Sequence, residues 1–262
     1  MNYQPVVPLS GYTGWLFLQR TLDQQQTAFQ ESTSVTRATD YFRENIGEIT
    51  SAEELVADRQ LLNVALGAFG LDEDINSKFF IQKILDDGTT ADEALANRLA
   101  DTRYRNLSEA FGFGEFGVPL TSQPLFAEDI IDRFEARQFE RAVGDVNNDM
   151  RLALNVKEGI GDILDTVEAD DARWFSLLGN QPLRQVMQTA LGLPTAIATI
   201  DLDKQLETFK ERALSTFGTD DVADLTDPEM QEKMIRLFLV RSDSQSDTTF
   251  SSGSVALTLL QS

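Results

Sequence analysis

Two residue types that carry much of protein chemistry are missing from this sequence: its 262 residues include no cysteine and no histidine. Without cysteine the chain has no disulfide, no thiol nucleophile and no thiolate ligand. Without histidine it also lacks the usual proton carrier near neutral pH and the commonest metal ligand. Carboxylates, lysine, serine and tyrosine can also catalyse, but the sequence offers no recognisable constellation of them. We therefore predict a protein that is not an enzyme, with no catalytic, cofactor-binding or metal-binding residues.

Long apolar runs are also missing. A membrane-spanning helix needs about 20 apolar residues, whereas the longest runs here are Phe79–Ile81 and Ile235–Val240, and the second contains Arg236. The N-terminus, MNYQP, lacks the basic start and the apolar stretch of a cleavable signal peptide. The sequence thus predicts no transmembrane segment, no membrane insertion and a cytoplasmic location, unless the protein leaves the cell by another export route.

Positive charge is scarce. Against 43 acidic residues stand 22 basic ones, which gives a formal net charge of −21. Such a chain repels phosphate backbones, so we predict no nucleic-acid partner. The remaining composition, 42% hydrophobic with 17 phenylalanines, is sufficient to fill a core.

Helical signals run through nearly the whole chain. Ser51 with Glu54 three residues later has the spacing of a capping box, and Thr90 with Glu93 repeats it. Gly70 follows an apolar helical stretch and is suited to a left-handed helix end. Alternating β-branched runs, which indicate strands, are scarce. The predicted fold class is all-α: a multi-helix, bundle-like protein with two related helical halves and a disordered C-terminal tail.

The glycine- and proline-rich stretch after Phe111 is the clearest interruption of the helical pattern. It divides the chain into a predicted N-terminal half (1–112), a junction (113–124), a C-terminal half (125–241) and a flexible tail (242–262). The segment around Leu61–Leu71 aligns with that around Leu183–Leu193, and both end in Gly-Leu. Duplication of a helical unit explains this similarity, and so does the general resemblance of glycine-capped helices.

Aromatic residues beside this interruption are the candidate contact residues. Phe111, Phe113 and Phe116 lie where a regular helix cannot easily pack them, so they are predicted to contact a partner. The alternative is that they fill the junction between the halves, since phenylalanine is usually buried.

Two motif matches are set aside. Gly112–Gly117 has the spacing of a dinucleotide-binding loop, but a helix precedes it where such a loop needs a strand. Asp145, Asn147 and Asp149 begin like a calcium loop, but methionine stands where that loop needs glycine. Paired aspartates such as Asp170-Asp171 are predicted to act at helix ends.

Two runs carry a family resemblance: YFRENIGEITSAEELVADRQLLNVALGAFGL and FFIQKILDDGTTADEALANRLADTRYRNLSEAFGF. They resemble a bacterial domain family of unknown function whose genes are found among flagellar genes in alphaproteobacteria. The similarity extends over roughly residues 11–241. It implies a helical protein with a flagellar association, and it carries no catalytic motif.

Three functions are compatible with these observations. The first is a non-enzymatic structural or interaction role in flagellar assembly and motility, with a flagellar protein as partner and a cytoplasmic or flagellum-associated location. The second is a cytoplasmic chaperone or regulatory adaptor for a flagellar export substrate. The third is a carboxylate-dependent hydrolase, which would need two carboxylates facing each other across a cleft.

Overall fold

The fold is built from helices. The computed structural model describes residues 3–99, 101–115 and 119–251, and this part of the chain contains thirteen α-helices, five short 3-10 helices and no strand. The predicted all-α class is confirmed. The α-helices are α1 (Gly11–Gln30), α2 (Thr33–Asn45), α3 (Ala52–Ala57), α4 (Arg59–Ala68), α5 (Lys78–Asp87), α6 (Leu95–Arg98), α7 (Arg103–Phe111), α8 (Phe126–Val146), α9 (Asn148–Thr166), α10 (Asp170–Gly179), α11 (Gln181–Ala190), α12 (Leu202–Phe217) and α13 (Pro228–Ser251).

The helices form two compact units that are not consecutive halves of the chain. Unit 1 comprises the residues up to Pro5 and Thr21–Ala142, and unit 2 comprises Val6–Arg20 and the chain from Val143 onward. The boundaries therefore fall inside α1 and α8. The predicted junction at 113–124 differs from this division, because the described part of that segment lies within unit 1.

One hydrophobic core explains why unit 1 extends past the predicted junction. Phe126, Ile130 and Phe134 of α8 belong to the same cluster of buried residues as Phe42 of α2 and Phe111 of α7. Gly67 of α4 makes this packing close, since a Cβ there would lie 2.7 Å from the Phe134 ring. The start of α8 therefore completes the core of unit 1.

Unit 2 is organised around α11, which packs against α9, α10 and α13. Trp174 of α10 is fully buried, and its indole N–H donates to the carbonyl of Asp220 at 2.6 Å. The first turns of α1 belong to this unit: Tyr12 and Trp15 both donate hydrogen bonds to the carboxylate of Glu232, at 2.7 and 3.4 Å.

Side-chain caps explain several helix starts. Ser51 Oγ accepts from the N–H of Glu54 at 3.3 Å, and the Glu54 carboxylate accepts from the N–H of Thr50 at 2.7 Å, so the predicted helix start is confirmed. The second predicted capping box, at 90–93, was wrong. The helix there is α6, a single turn that begins at Leu95 after Ala94, which has no capping side chain.

The two aligned segments end their helices, α4 and α11, in the same way. Gly70 and Gly192 have φ of +67° and +66°, and the following leucines donate to carbonyls five residues back, Leu71 to Leu66 and Leu193 to Gln188, both at 2.9 Å. This is the Schellman geometry, which explains the glycine at both places. Each turn leads into a 3-10 helix, Asp72–Asn76 or Thr195–Thr199. The aligned segments thus share a local structure, which both duplication and convergence of helix ends would produce.

The last helix is longer than the sequence indicated. It continues through Ser251, about ten residues past the predicted end of the helical part at Arg241. The remainder of the predicted tail, 252–262, lies outside the described residues.

Candidate functional site

Two of the three phenylalanines predicted to contact a partner, Phe111 and Phe113, lie in the described part of the chain, and they do not form an exposed surface. Phe111 is fully buried, with its ring centroid 5.2 Å from that of Phe126. Phe113 is partly buried against the same core, 5.7 Å from Phe111. Phe116 lies outside the described residues. Phe111 offers no exposed ring to a partner, because it lies on the face of α7 that packs into the hydrophobic core of unit 1. For these two residues the interior alternative fits, within unit 1.

The loop that follows Phe111 is held by backbone contact. A Cβ on Gly114 would lie 2.4 Å from the carbonyl oxygen of Asp86 and 2.6 Å from the amide nitrogen of Gly88. The Glu115 carboxylate accepts from the N–H of Thr89 at 2.5 Å and from its hydroxyl. Gly114 of the dinucleotide-like pattern therefore serves chain packing here.

The acidic pair at the start of α10 holds a lysine. Lys210 Nζ of α12 lies 2.8 Å from Asp170 Oδ2 and 2.7 Å from Asp171 Oδ1. The hydrogen bonds that Lys210 donates to these two carboxylates raise its pKa. Asp170 also accepts from the N–H of Val222 at 3.2 Å. These carboxylates thus tie α10 to α12 and to the turn after it.

The outward face of α12 carries large apolar side chains at the surface of unit 2. Its inward face is made by Gln205, Phe209, Ala213 and Phe217, all buried. On the outward face Leu214 is 53% exposed, Leu206 is half-buried, and Leu202 at the start of the helix is 50% exposed. The helix therefore presents leucines to the solvent as well as to the core.

Carboxylates border these leucines. A shallow, open groove of about 440 Å³ runs along this face, and its lining residues are Asp203, Leu206, Glu207, Lys210, Glu211, Leu214 and Asp220. The lining carries four carboxylates and one ammonium. That ammonium, of Lys210, already binds Asp170 and Asp171. We call this set of residues the α12 groove. It can bind an apolar side chain and a positive charge at neighbouring points.

Sequence reasoning found α12 but missed its outward face. Leu202, Leu206, Phe209 and Leu214 together predict a helix, yet Phe209 lies on a different face from Leu214. The sequence does contain a signal for the two faces of α12, in two sets of residues spaced four apart. One set is 205, 209, 213 and 217, and the other is 202, 206, 210 and 214. The first set fills the core, and the second reaches the surface.

Two kinds of site are absent from the described residues. No group of three or more aspartate or glutamate side chains there is arranged to hold a metal ion. No helix within residues 3–99, 101–115 and 119–251 has the length and apolar character that crossing a bilayer requires.

Comparison with known proteins assigns the family. Residues 68–230 match the model of a family described as protein of unknown function (DUF1217). This chain belongs to the DUF1217 family. The match spans the end of α4 to the start of α13 and so draws on both units. The family description names no activity.

A solved relative supports the fold of this DUF1217 protein. The X-ray structure of protein AGR_C_984 from Agrobacterium tumefaciens, a structural genomics target, is similar at 27% sequence identity with a TM-score of 0.72. The similarity covers 92% of this chain and 99% of the other. No protein of curated function matches the sequence.

Proposed function

We propose that this DUF1217 protein is a non-enzymatic component that works through protein–protein contacts in flagellar assembly or structure. The flagellar context rests on the resemblance carried by the runs at 41–71 and 79–113. The mode of action rests on one structural observation, the α12 groove, where exposed leucines and carboxylates lie side by side on a regular helix.

The use that the chain makes of its carboxylates supports this proposal. Tyr41 donates to Asp58, Tyr104 donates to Asp74, and Arg43 binds Glu128 at 2.7 Å. Each of these carboxylates stabilises a helix end, a tyrosine or an arginine of unit 1. The acidic groups of the α12 groove instead line a surface.

Cell fractionation and genetics test the proposed function. In an organism that carries the gene, we expect an in-frame deletion to reduce swimming in soft agar and complementation to restore it. We expect immunoblots to detect the protein in purified flagella or culture supernatant, or in a cytosolic complex with a flagellar subunit. The cytosolic complex alone would favour the adaptor function over the structural one.

A wild-type swimming rate in the deletion strain, together with a wild-type strain in which all of the protein is free in the cytosol, would contradict a flagellar role of either kind. Turnover of a glycan by the purified protein, lost when a single carboxylate is neutralised, would contradict the non-enzymatic role.

A further inference from the structure

We infer that the α12 groove binds a basic amphipathic helix of a partner protein. The inference rests on the proposed function, because it names the class of partner that the protein–protein contact would engage. It also names the surface, which the family description and the resemblance leave open.

The apolar part of the groove defines half of the ligand. Leu206 and Leu214 are eight residues apart, so they lie about 12 Å apart along the helix axis. A partner helix laid along α12 presents apolar side chains at steps of three and four residues, which match two leucines at this distance. Removing these leucines from water provides the non-directional part of the affinity.

The charges define the other half of the ligand. Asp203, Glu207 and Glu211 follow one another at steps of four and so lie on one side of α12, where like charges disfavour the helix. Asp220 adds a fourth carboxylate from the turn after the helix. A lysine or arginine on the partner would relieve this repulsion, since Lys210 of the groove is already engaged by Asp170 and Asp171. An acidic helix would add to it.

The rest of the molecule favours a basic protein segment over other polyions. A net charge of −21 repels nucleic acid and anionic lipid surfaces at long range and draws in basic segments. Long-range attraction does not select the α12 groove. The leucines of the α12 groove provide the selection, because they require that the basic segment also has an apolar face.

The test uses the full chain and two synthetic 18-residue helical peptides. One carries leucines on one face and lysines on the flanks, and the other carries glutamates in place of the lysines. Fluorescence anisotropy at about 0.15 M salt, where the Debye length is about 8 Å, gives the dissociation constants. We expect the lysine peptide to bind and the glutamate peptide to bind at least about tenfold more weakly.

Matched variants locate the site. Leu214→Gln and the pair Glu207→Gln with Glu211→Gln should each weaken the lysine peptide about tenfold. The control Val240→Gln changes a side chain with the same 53% exposure on α13. Asp92→Asn with Glu93→Gln is the charge control, because it removes two exposed carboxylates elsewhere. Both controls should leave the dissociation constant within about twofold.

Three results would overturn the inference. If the charge control weakened peptide binding as much as the groove variants do, the peptide would be attracted to the acidic surface in general. Unchanged binding by the groove variants would place the peptide elsewhere. Self-association in light scattering that Leu214→Gln abolishes would show that a second copy of this chain occupies the groove.

The proposed function can fail separately. Retention of a Leu214→Gln protein in purified flagella, with peptide binding lost, would leave a flagellar role without this surface as its contact. Peptide binding at the groove, without any flagellar phenotype of the deletion strain, would leave the surface and contradict the flagellar role.

Discussion

Tyrosine–carboxylate pairs recur across the molecule. In three of them the phenol donates to the acid at 2.7 Å; they are Tyr12 with Glu232, Tyr41 with Asp58, and Tyr104 with Asp74. A carboxylate beside a phenol disfavours the phenolate, so the pKa of each of these tyrosines is raised. These tyrosines are therefore among the groups that link folding to alkaline pH.

Tyr104 gives the clearest pH prediction. Burial, followed by the hydrogen bond to Asp74, raises its pKa from 10.0 to about 12. Because the folded-state pKa is the higher one, its contribution to stability is complete below pH 10 and is lost as the pH rises toward 12. The difference in absorbance near 295 nm between the wild type and Tyr104→Phe should show a transition near pH 12, while circular dichroism monitors folding. A transition at pH 10 in the folded protein would contradict this assignment.

Asp58 combines two roles in one carboxylate. It accepts from the N–H groups of Gln60 and Leu61 at the start of α4 and from the hydroxyl of Tyr41. Burial opposes its charged form, but these hydrogen bonds outweigh that effect and lower its pKa. Its contribution is therefore present at neutral pH and is lost as the pH falls through that lowered pKa.

Replacing Asp58 tests the cap. We expect Asp58→Ala to lower the free energy of unfolding by about 1–2 kcal/mol, the usual cost of a lost N-cap. Urea denaturation at pH 7 measures it, and the exposed Glu53→Ala is the control for losing one charge. The difference between the two variants should shrink in acid. A difference that grows as the pH falls would contradict the role of the carboxylate.

Individual helices were the most predictable feature at the scale of elements. The helix ends at Gly70, Gly88 and Gly112 could be read from the sequence, since glycine there adopts a positive φ that other residues avoid. The division of the chain into two units could not be predicted from the sequence. Whether Phe126 packs forward with α9 or backward with Phe111 depends on tertiary contacts that periodicity does not encode.

The candidate site shows the same limit. The aromatic residues next to the glycine-rich loop suggested an exposed surface, but that loop is packed through Gly114 against the end of α5. Conversely, leucines at helical spacing usually indicate core positions, yet Leu206 is half-buried and Leu214 is exposed. Composition and spacing find a helix, but which of two apolar faces turns outward is decided by the neighbouring helices.

The packing of the loop after α7 can be tested at Gly114. The Cβ of Gly114→Ala would overlap the backbone of Asp86 and Gly88, which cannot yield as a flexible side chain would. We expect a loss of about 1–3 kcal/mol in the free energy of unfolding, typical of overpacking. The control is Gly47→Ala in the same unit, where a Cβ meets nothing within 4 Å. Equal stability of the two variants in urea would contradict the close contact.

Net charge acts on the whole molecule. With 43 acidic and 22 basic residues, repulsion among carboxylates opposes the compact state. Exposed ion pairs such as Arg105–Glu109 act in the other direction, but each contributes only about 0–1 kcal/mol. The repulsion should therefore dominate the effect of salt.

Thermal unfolding at increasing salt concentration tests this balance. Raising NaCl from about 0.01 M to about 1 M shortens the Debye length from about 30 Å to about 3 Å. We expect the Tm to rise, by about 2–4 °C for each kcal/mol of repulsion that is screened. Differential scanning calorimetry measures the shift, with sodium chloride and potassium chloride compared at equal ionic strength. A Tm that falls with salt would show that the ion pairs dominate instead.

The discontinuous make-up of unit 2 has a consequence for biosynthesis. Its first segment, Val6–Arg20, leaves the ribosome before any of Thr21–Ala142, yet its partners Glu232 and Asp243 are synthesised only after all of that segment. The Trp15 side chain is 2% exposed in the folded protein. It therefore lacks its native contact with Glu232 until more than two hundred further residues have been synthesised. Unit 1 has no such delay and can acquire its core while the nascent chain is still growing.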